Sequence, residues 1–273
     1  MTDTTIDKAF PVNGPISLMV RLAHGCVTVE TADMLSEATV HVEGDKQAAD
    51  LLADTAVEMR GGALIVHAPR QGGIFDLPMF GGRRAGRELD IRVLVPTGSA
   101  VKITTFTAPI RILGAVGDAE LAFGSGDAAV RRVDGDLQLR FGSGTAEAVR
   151  VSGSVQLRSG SGDARLGEVG GNITSACGSG DLLVHVSRGT VRSRCGSGRA
   201  QLNEIHGDVD VVSGSGGLEI GLPSGVSAKL DVHTGSGRVR SELPIEDAPR
   251  TSAGGITVRA RTGSGDVRVF RAA

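Results

Sequence analysis

Tryptophan and tyrosine are absent from this 273-residue sequence, and phenylalanine occurs only seven times. Ligand pockets and platforms for stacked bases lean on aromatic side chains, so the scarcity counts against both. Cysteine is sparse too. Cys26, Cys177 and Cys195 are too few and too unevenly spaced for a disulfide framework or a zinc site. No apolar run approaches the roughly 18 to 20 residues of a membrane-spanning helix. The opening residues, Met1 to Phe10, lack the basic region and apolar stretch of a secretory signal. Charge of one sign is also missing: 29 basic residues stand against 31 acidic ones, for a net charge of −2. There is thus no long-range pull toward nucleic acid or an anionic bilayer. These absences predict a reduced, cytoplasmic protein with no nucleic-acid partner, no direct membrane insertion and no metal or other cofactor.

Glycine, by contrast, is abundant, with 41 residues against only 9 prolines. Beside a 40% apolar fraction, that mix predicts tight turns between short buried strands rather than a disordered tract. The glycines are ordered. Gly-Ser-Gly triplets begin at Gly124, Gly142, Gly160, Gly178, Gly196 and Gly214, each 18 residues after the last, and the series continues at Gly235 and Gly263 after gaps of 21 and 28. A second glycine column, Gly117, Gly135, Gly153, Gly171, Gly189 and Gly207, keeps the same step. Strict short periods of this kind belong to solenoids, whose single coils cannot bury an apolar face alone.

Stacking the rungs produces apolar columns. Val130, Ala148, Leu166, Val184 and Leu202 form one, and Val133, Val151, Val169, Ser187 and Ile205 another. Leu137, Val155, Ile173, Val191 and Val209 form a third, followed two residues on by Leu139, Leu157, Ser175, Ser193 and Val211. Alternation at period two within β-branched segments bounded by glycine is strand chemistry. The three-residue step from Val130 to Val133 requires a corner if both point inward, so each rung reads as two or three short strands. The expected fold is all-β: a single-stranded β-solenoid of 18-residue rungs with a strand-rich N-terminal cap.

The chain divides into a disordered or extended N-terminus (1–14), a cap (15–69), a Gly/Arg-rich loop (70–88) and the repeats with a C-terminal cap (89–273). Within the cap, residues 45–53 predict a short helix started by Asp45. The loop holds Ile74, Phe75, Leu77, Met79 and Phe80, an apolar density that marks it as a partner-contact segment. Residues 244–256 fall in the longest interval and are expected to fold over the last edge.

The lead-in Arg92-Val-Leu-Val-Pro-Thr-Gly-Ser99, followed by repeated Gly-Ser-Gly-Asp elements, resembles a bacterial adhesin-labelled family of toastrack-type β-strand-repeat domains of unknown function. The resemblance spans about residues 15–270. It implies a solenoid-like fold, with members found beside envelope-stress sensors and membrane proteins.

Candidate chemistry is thin. Asp127, Asp163, Asp181 and Asp266 follow the triplets and could line a calcium ladder or cap turns. Thr145, Arg199, Gly217 and Arg238 hold the same position in other rungs, which favours capping. Cys177 and Cys195 lie one rung apart, either as reduced thiols in a tapering core or as a redox pair. Arg140, Arg158 and Arg194 share an outward column, and Arg132 and Arg150 share another that Glu168 and Glu204 interrupt. Each column is either a solvated face with ion pairs or a basic stripe for an anionic partner. His41 and His67 could be neighbours, but none of the six histidines shows metal spacing. No nucleophile–base set or acid–base pair emerges, and no catalytic residue is assigned.

The expectation is a non-catalytic scaffold or accessory to an envelope-stress or regulatory system, binding a protein partner through Ile74, Phe75, Leu77, Met79 and Phe80 and through Arg140, Arg158 and Arg194. A glycan-binding surface adhesin and a self-assembling structural protein, joined through sheet edges, are the alternatives.

Overall fold

The computed structural model describes residues 5–45, 47–69, 88–243 and 255–272. The described elements are β-strands apart from one helix, Ala49–Ala53. The chain forms two compact units, Met1–Arg132 and Val133–Ala273.

In the N-terminal unit one 16-residue strand, Ser17–Ala32, organises the rest. Its buried positions are Leu18, Val20 and Leu22, then Val27 and Val29, so the inward parity flips near its middle. A strand that keeps both halves inward must turn a corner there. Gly25 permits it: φ is +130°, and a Cβ would sit 2.0 Å from the carbonyl oxygen of Leu89. The first half of this strand pairs in parallel with Ala63–His67 on one side and Ala100–Thr107 on the other. The second half does the same with Leu89–Pro96 and Ile110–Val116. The first coil in sequence is therefore the second in space.

Antiparallel strands cover this unit. Glu37–Gly44 lies between Thr5–Pro11 and Leu89–Pro96, and Ala56–Arg60 lines Ala63–His67. The helix is shorter than the sequence predicts, running from Ala49 and burying Leu51 and Leu52. Asp45 still starts the segment, because its carboxylate accepts the N–H groups of Gln47 and Ala48 at 3.0 and 2.8 Å.

The C-terminal unit is the regular part, and each rung contributes two strands. One ladder stacks Leu137–Phe141, Val155–Ser159, Ile173–Ser179, Val191–Ser197 and Val209–Ser215 in parallel, every residue opposite its counterpart 18 positions on. The other stacks Thr145–Val151, Asp163–Val169, Leu182–Ser187, Ala200–Ile205 and Leu218–Leu222. Leu137, Leu139 and Phe141 are buried while Arg140 between them is exposed, as period two requires. The three-residue inward step in the second ladder is not a corner. Ala148 and Val151 stay in one strand, Val149 drops out of the pairing and is 55% exposed, and the 18-residue register continues on either side of it.

Asp, Asn and Ser side chains carry the ladder through the turns. Beside the triplets, Asp163 Oδ1 accepts the N–H of Asp181 at 2.8 Å, and Asp181 Oδ1 accepts that of Arg199 at 2.7 Å. In the mid-rung turn, Asp136 Oδ1 accepts from Ser154 N at 2.7 Å, Ser154 Oγ from Asn172 N at 3.2 Å, and Asn172 Oδ1 from Thr190 N at 2.9 Å. Backbone donors that leave the strand would otherwise lack a partner, and the rung before supplies it.

The two lengthened intervals mark a change in stacking order. Ile256–Ser264 pairs in parallel with Val209–Ser215 on one side and Ala228–Ser236 on the other. Val267–Arg271 lies likewise between Leu218–Leu222 and Val239–Ser241. The last coil in sequence is thus inserted before the penultimate one. The turn bonds follow the spatial order: Asp208 Oδ1 accepts from Thr257 N, and Asp266 Oδ1 from Arg238 N, both at 2.8 Å.

Candidate functional site

The ladder that begins with Leu137–Phe141 presents one outer face. Because the register never slips, outward residues form straight columns about 4.8 Å apart from strand to strand. One column reads Arg140, Arg158, Ala176, Arg194, Val212, Arg261. Its neighbour reads Gln138, Gln156, Thr174, Arg192, Asp210, Arg259. Arg140, Arg158 and Arg194 are exposed, and their guanidinium groups make no ion pair or hydrogen bond among the described residues. Like charges directly opposite each other on adjacent strands repel, and Arg140 and Arg158 are such a pair. Among the described residues, the face pairs a cation at its far end, where Arg261 reaches Asp231 at 3.3 Å.

The other arginine column differs. Arg150 pairs with Glu168 at 2.6 Å, and Arg188 reaches the same carboxylate at 3.0 Å. These two cations, Arg188 first and then Arg150, hold the Glu168 carboxyl below its ordinary range. Arg132 also has an interaction partner. The structure therefore separates the two columns: the one that Glu168 interrupts holds internal ion pairs, and the other leaves Arg140, Arg158 and Arg194 without a carboxylate partner among the described residues.

The remaining candidates fall into place as structure. Asp163, Asp181 and Asp266 spend a carboxylate oxygen on the neighbouring rung's N–H, as capping requires. His41 meets Asp7 at 2.6 Å, His206 meets Glu204 at 2.8 Å, and His24 stacks edge-on against Phe106 with ring centroids 5.9 Å apart. His41 and His67 do not lie on neighbouring strands, since Glu37–Gly44 and Ala63–His67 pair in separate ladders. Among the described residues, no three His, Cys, Asp or Glu side chains gather as a metal site. An open cleft of about 360 Å³ in the N-terminal unit, lined by Val12, Pro15, Leu35 and Pro96, holds one carboxylate, Asp33, and no histidine, cysteine or cation. The segment with Ile74, Phe75, Leu77, Met79 and Phe80 lies outside the described residues.

Sequence reasoning places the two thiols one rung apart, with parallel rather than convergent side chains. Cys177 and Cys195 are register partners, and their Sγ atoms are 2.9 Å apart. The signal was the 18-residue step itself.

No curated protein matches the sequence. Among solved structures, the chain is similar to a candidate lipid-binding protein of Parabacteroides distasonis, at 11% identity and a TM-score of 0.57, covering 97% of this chain and 96% of that one. It is also similar to candidate adhesins of Parabacteroides merdae, at 10% identity and a TM-score of 0.47, and of Bacteroides fragilis, at 11% and 0.45, each with coverage of 97% and 96%. The Parabacteroides distasonis likeness shows a shared fold. The family model described as Toastrack DUF4097 matches residues 18–272, nearly the whole chain. With its rungs, turns and paired ladders, this chain belongs to the Toastrack DUF4097 family.

Proposed function

We propose that this chain is a non-catalytic interaction module, a scaffold or accessory subunit that engages an acidic segment of a protein partner through the outer face of its C-terminal unit. One observation carries the reading. Arg140 and Arg158 face each other in register, with Arg194 in the same column, and none of the three has an anionic partner among the described residues. Carboxylates laid along the column would relieve that repulsion and gain forked, charge-assisted hydrogen bonds. Among the described residues the outward columns of this face carry no Phe, Tyr or Trp, which suits an extended acidic segment better than stacked sugar rings or bases.

The test is a titration of poly-L-glutamate against the intact protein and against Arg140→Gln/Arg158→Gln/Arg194→Gln. The triple variant should bind about tenfold more weakly, with three exposed contacts at roughly 0.5 kcal/mol each. Undiminished binding by the variant overturns the assignment of this column. Binding of dextran sulfate without binding of poly-L-glutamate would overturn the protein-partner reading in favour of a glycan-binding surface.

A further inference from the structure

The thiol pair in the C-terminal unit does not belong to the arginine face. Cys177 and Cys195 sit in the inward column that runs Phe141, Ser159, Cys177, Cys195, Ser213, on consecutive strands. Cys177 donates toward Cys195 with the sulfurs 2.9 Å apart, inside ordinary non-bonded contact for two sulfur atoms. Both side chains are partly accessible. Adjacent parallel strands hold Cα atoms about 4.8 Å apart, within the span of about 4.4–6.8 Å that a disulfide bridges.

The surrounding core explains what such a bond would do. In the next inward column Leu139 and Leu157 give way to Ser175 and Ser193. Ser193 is 1% exposed, and its hydroxyl has no hydrogen-bond partner. The rungs that carry the two cysteines thus bury serine where the two preceding rungs bury leucine. We infer that Cys177 and Cys195 form a reversible disulfide that staples two successive rungs whose neighbouring inward column carries serine in place of leucine.

The chemistry balances with a small-molecule disulfide as oxidant. The Cys195 thiolate attacks one sulfur of the oxidant and releases a thiolate, leaving a mixed disulfide on Cys195. Cys177 then displaces the second small-molecule thiolate and closes the protein disulfide. Two electrons pass to the oxidant, and the two protein thiol protons end on the two released small thiols. Burial, and then Cys195 itself, push the Cys177 thiol up to about 12. The order of attack follows the contact itself, since the Cys177 S–H donates to the Cys195 sulfur and steadies its thiolate.

The inference is independent of the binding reading, and so is its test. The full chain is reduced, equilibrated across graded ratios of reduced to oxidised glutathione, alkylated and mapped by peptide mass spectrometry. A linked peptide joining Cys177 to Cys195 is expected, with Cys26 alkylated. The oxidised protein should also unfold at higher urea than the reduced one, and that gap should vanish in Cys177→Ser and in Cys195→Ser. Serine already occupies this column at Ser159 and Ser213, so both variants keep its polarity and size. Glutathione adducts on the separate cysteines without a link, or full alkylation of both at ratios that modify Cys26, would overturn the inference.

Discussion

Asp181 occupies an exposed turn, yet its carboxylate holds the amide of Arg199 in the next rung at 2.7 Å. Strand pairing lapses at that point, and the side chain takes the place of a ladder carbonyl. Asp181→Ala should lower unfolding stability by about 1 kcal/mol, the ordinary worth of one hydrogen bond, and Asp181→Asn by clearly less. Urea denaturation measures both, and equal losses for the two substitutions would deny the bond its role. That these residues cap turns is legible in the repeat. Which amide they cap is not, because one rung read alone offers several nearby donors. Cys177 supplies a second prediction at this scale. Its thiol moves from an ordinary value of 9.0 up to about 12, chiefly through burial and then through Cys195. The folded state thus holds this proton more tightly than the unfolded chain does. The stability it contributes is complete below pH 9 and is lost as the pH rises toward 12. Urea midpoints of the reduced protein should fall more steeply over that window than those of reduced Cys177→Ser.

Among the elements, the strands of the regular rungs were legible, and the order of the terminal coils was not. Apolar columns such as Val155, Ile173 and Val191 follow from period two within a period of 18, and the structure pairs those residues in register. The triplets at Gly235 and Gly263 are chemically alike, so nothing in either one says which stacks on Gly214. The structure places Gly263 there, where a Cβ would meet the Gly214 carbonyl oxygen at 2.5 Å, and sets Gly235 beyond it, with a Cβ 2.5 Å from the carbonyl oxygen of Gly263. The same exchange appears at the start, where Ser17–Ala32 lies between later strands. Insertion gives the last coil two ladder neighbours. Amides of Ile256–Ser264 should therefore exchange with deuterium more slowly than those of Ala228–Ser236, although they lie nearer the C-terminus. The reverse order of protection would show that the coils stack in chain order.

For the whole molecule, a net charge of −2 hides an uneven distribution. The outer face with Arg140 carries Arg158, Arg192, Arg194, Arg259 and Arg261 against Asp210 and Asp231. The sequence reveals this column once the period is known. The sequence also sets Glu168 one rung from Arg150 in a single column, but it could not show that Arg188 reaches the same carboxylate, since that depends on which columns end up side by side. The most direct test therefore sets two charge-matched variants against each other in poly-L-glutamate titrations. Arg140→Gln/Arg158→Gln/Arg194→Gln removes three open cations, and Arg150→Gln/Arg188→Gln/Arg268→Gln removes three that already have carboxylate partners. Affinity lost only in the first variant is the predicted result. Equal losses in both would mean that net charge alone governs binding, and would contradict a binding face on this unit.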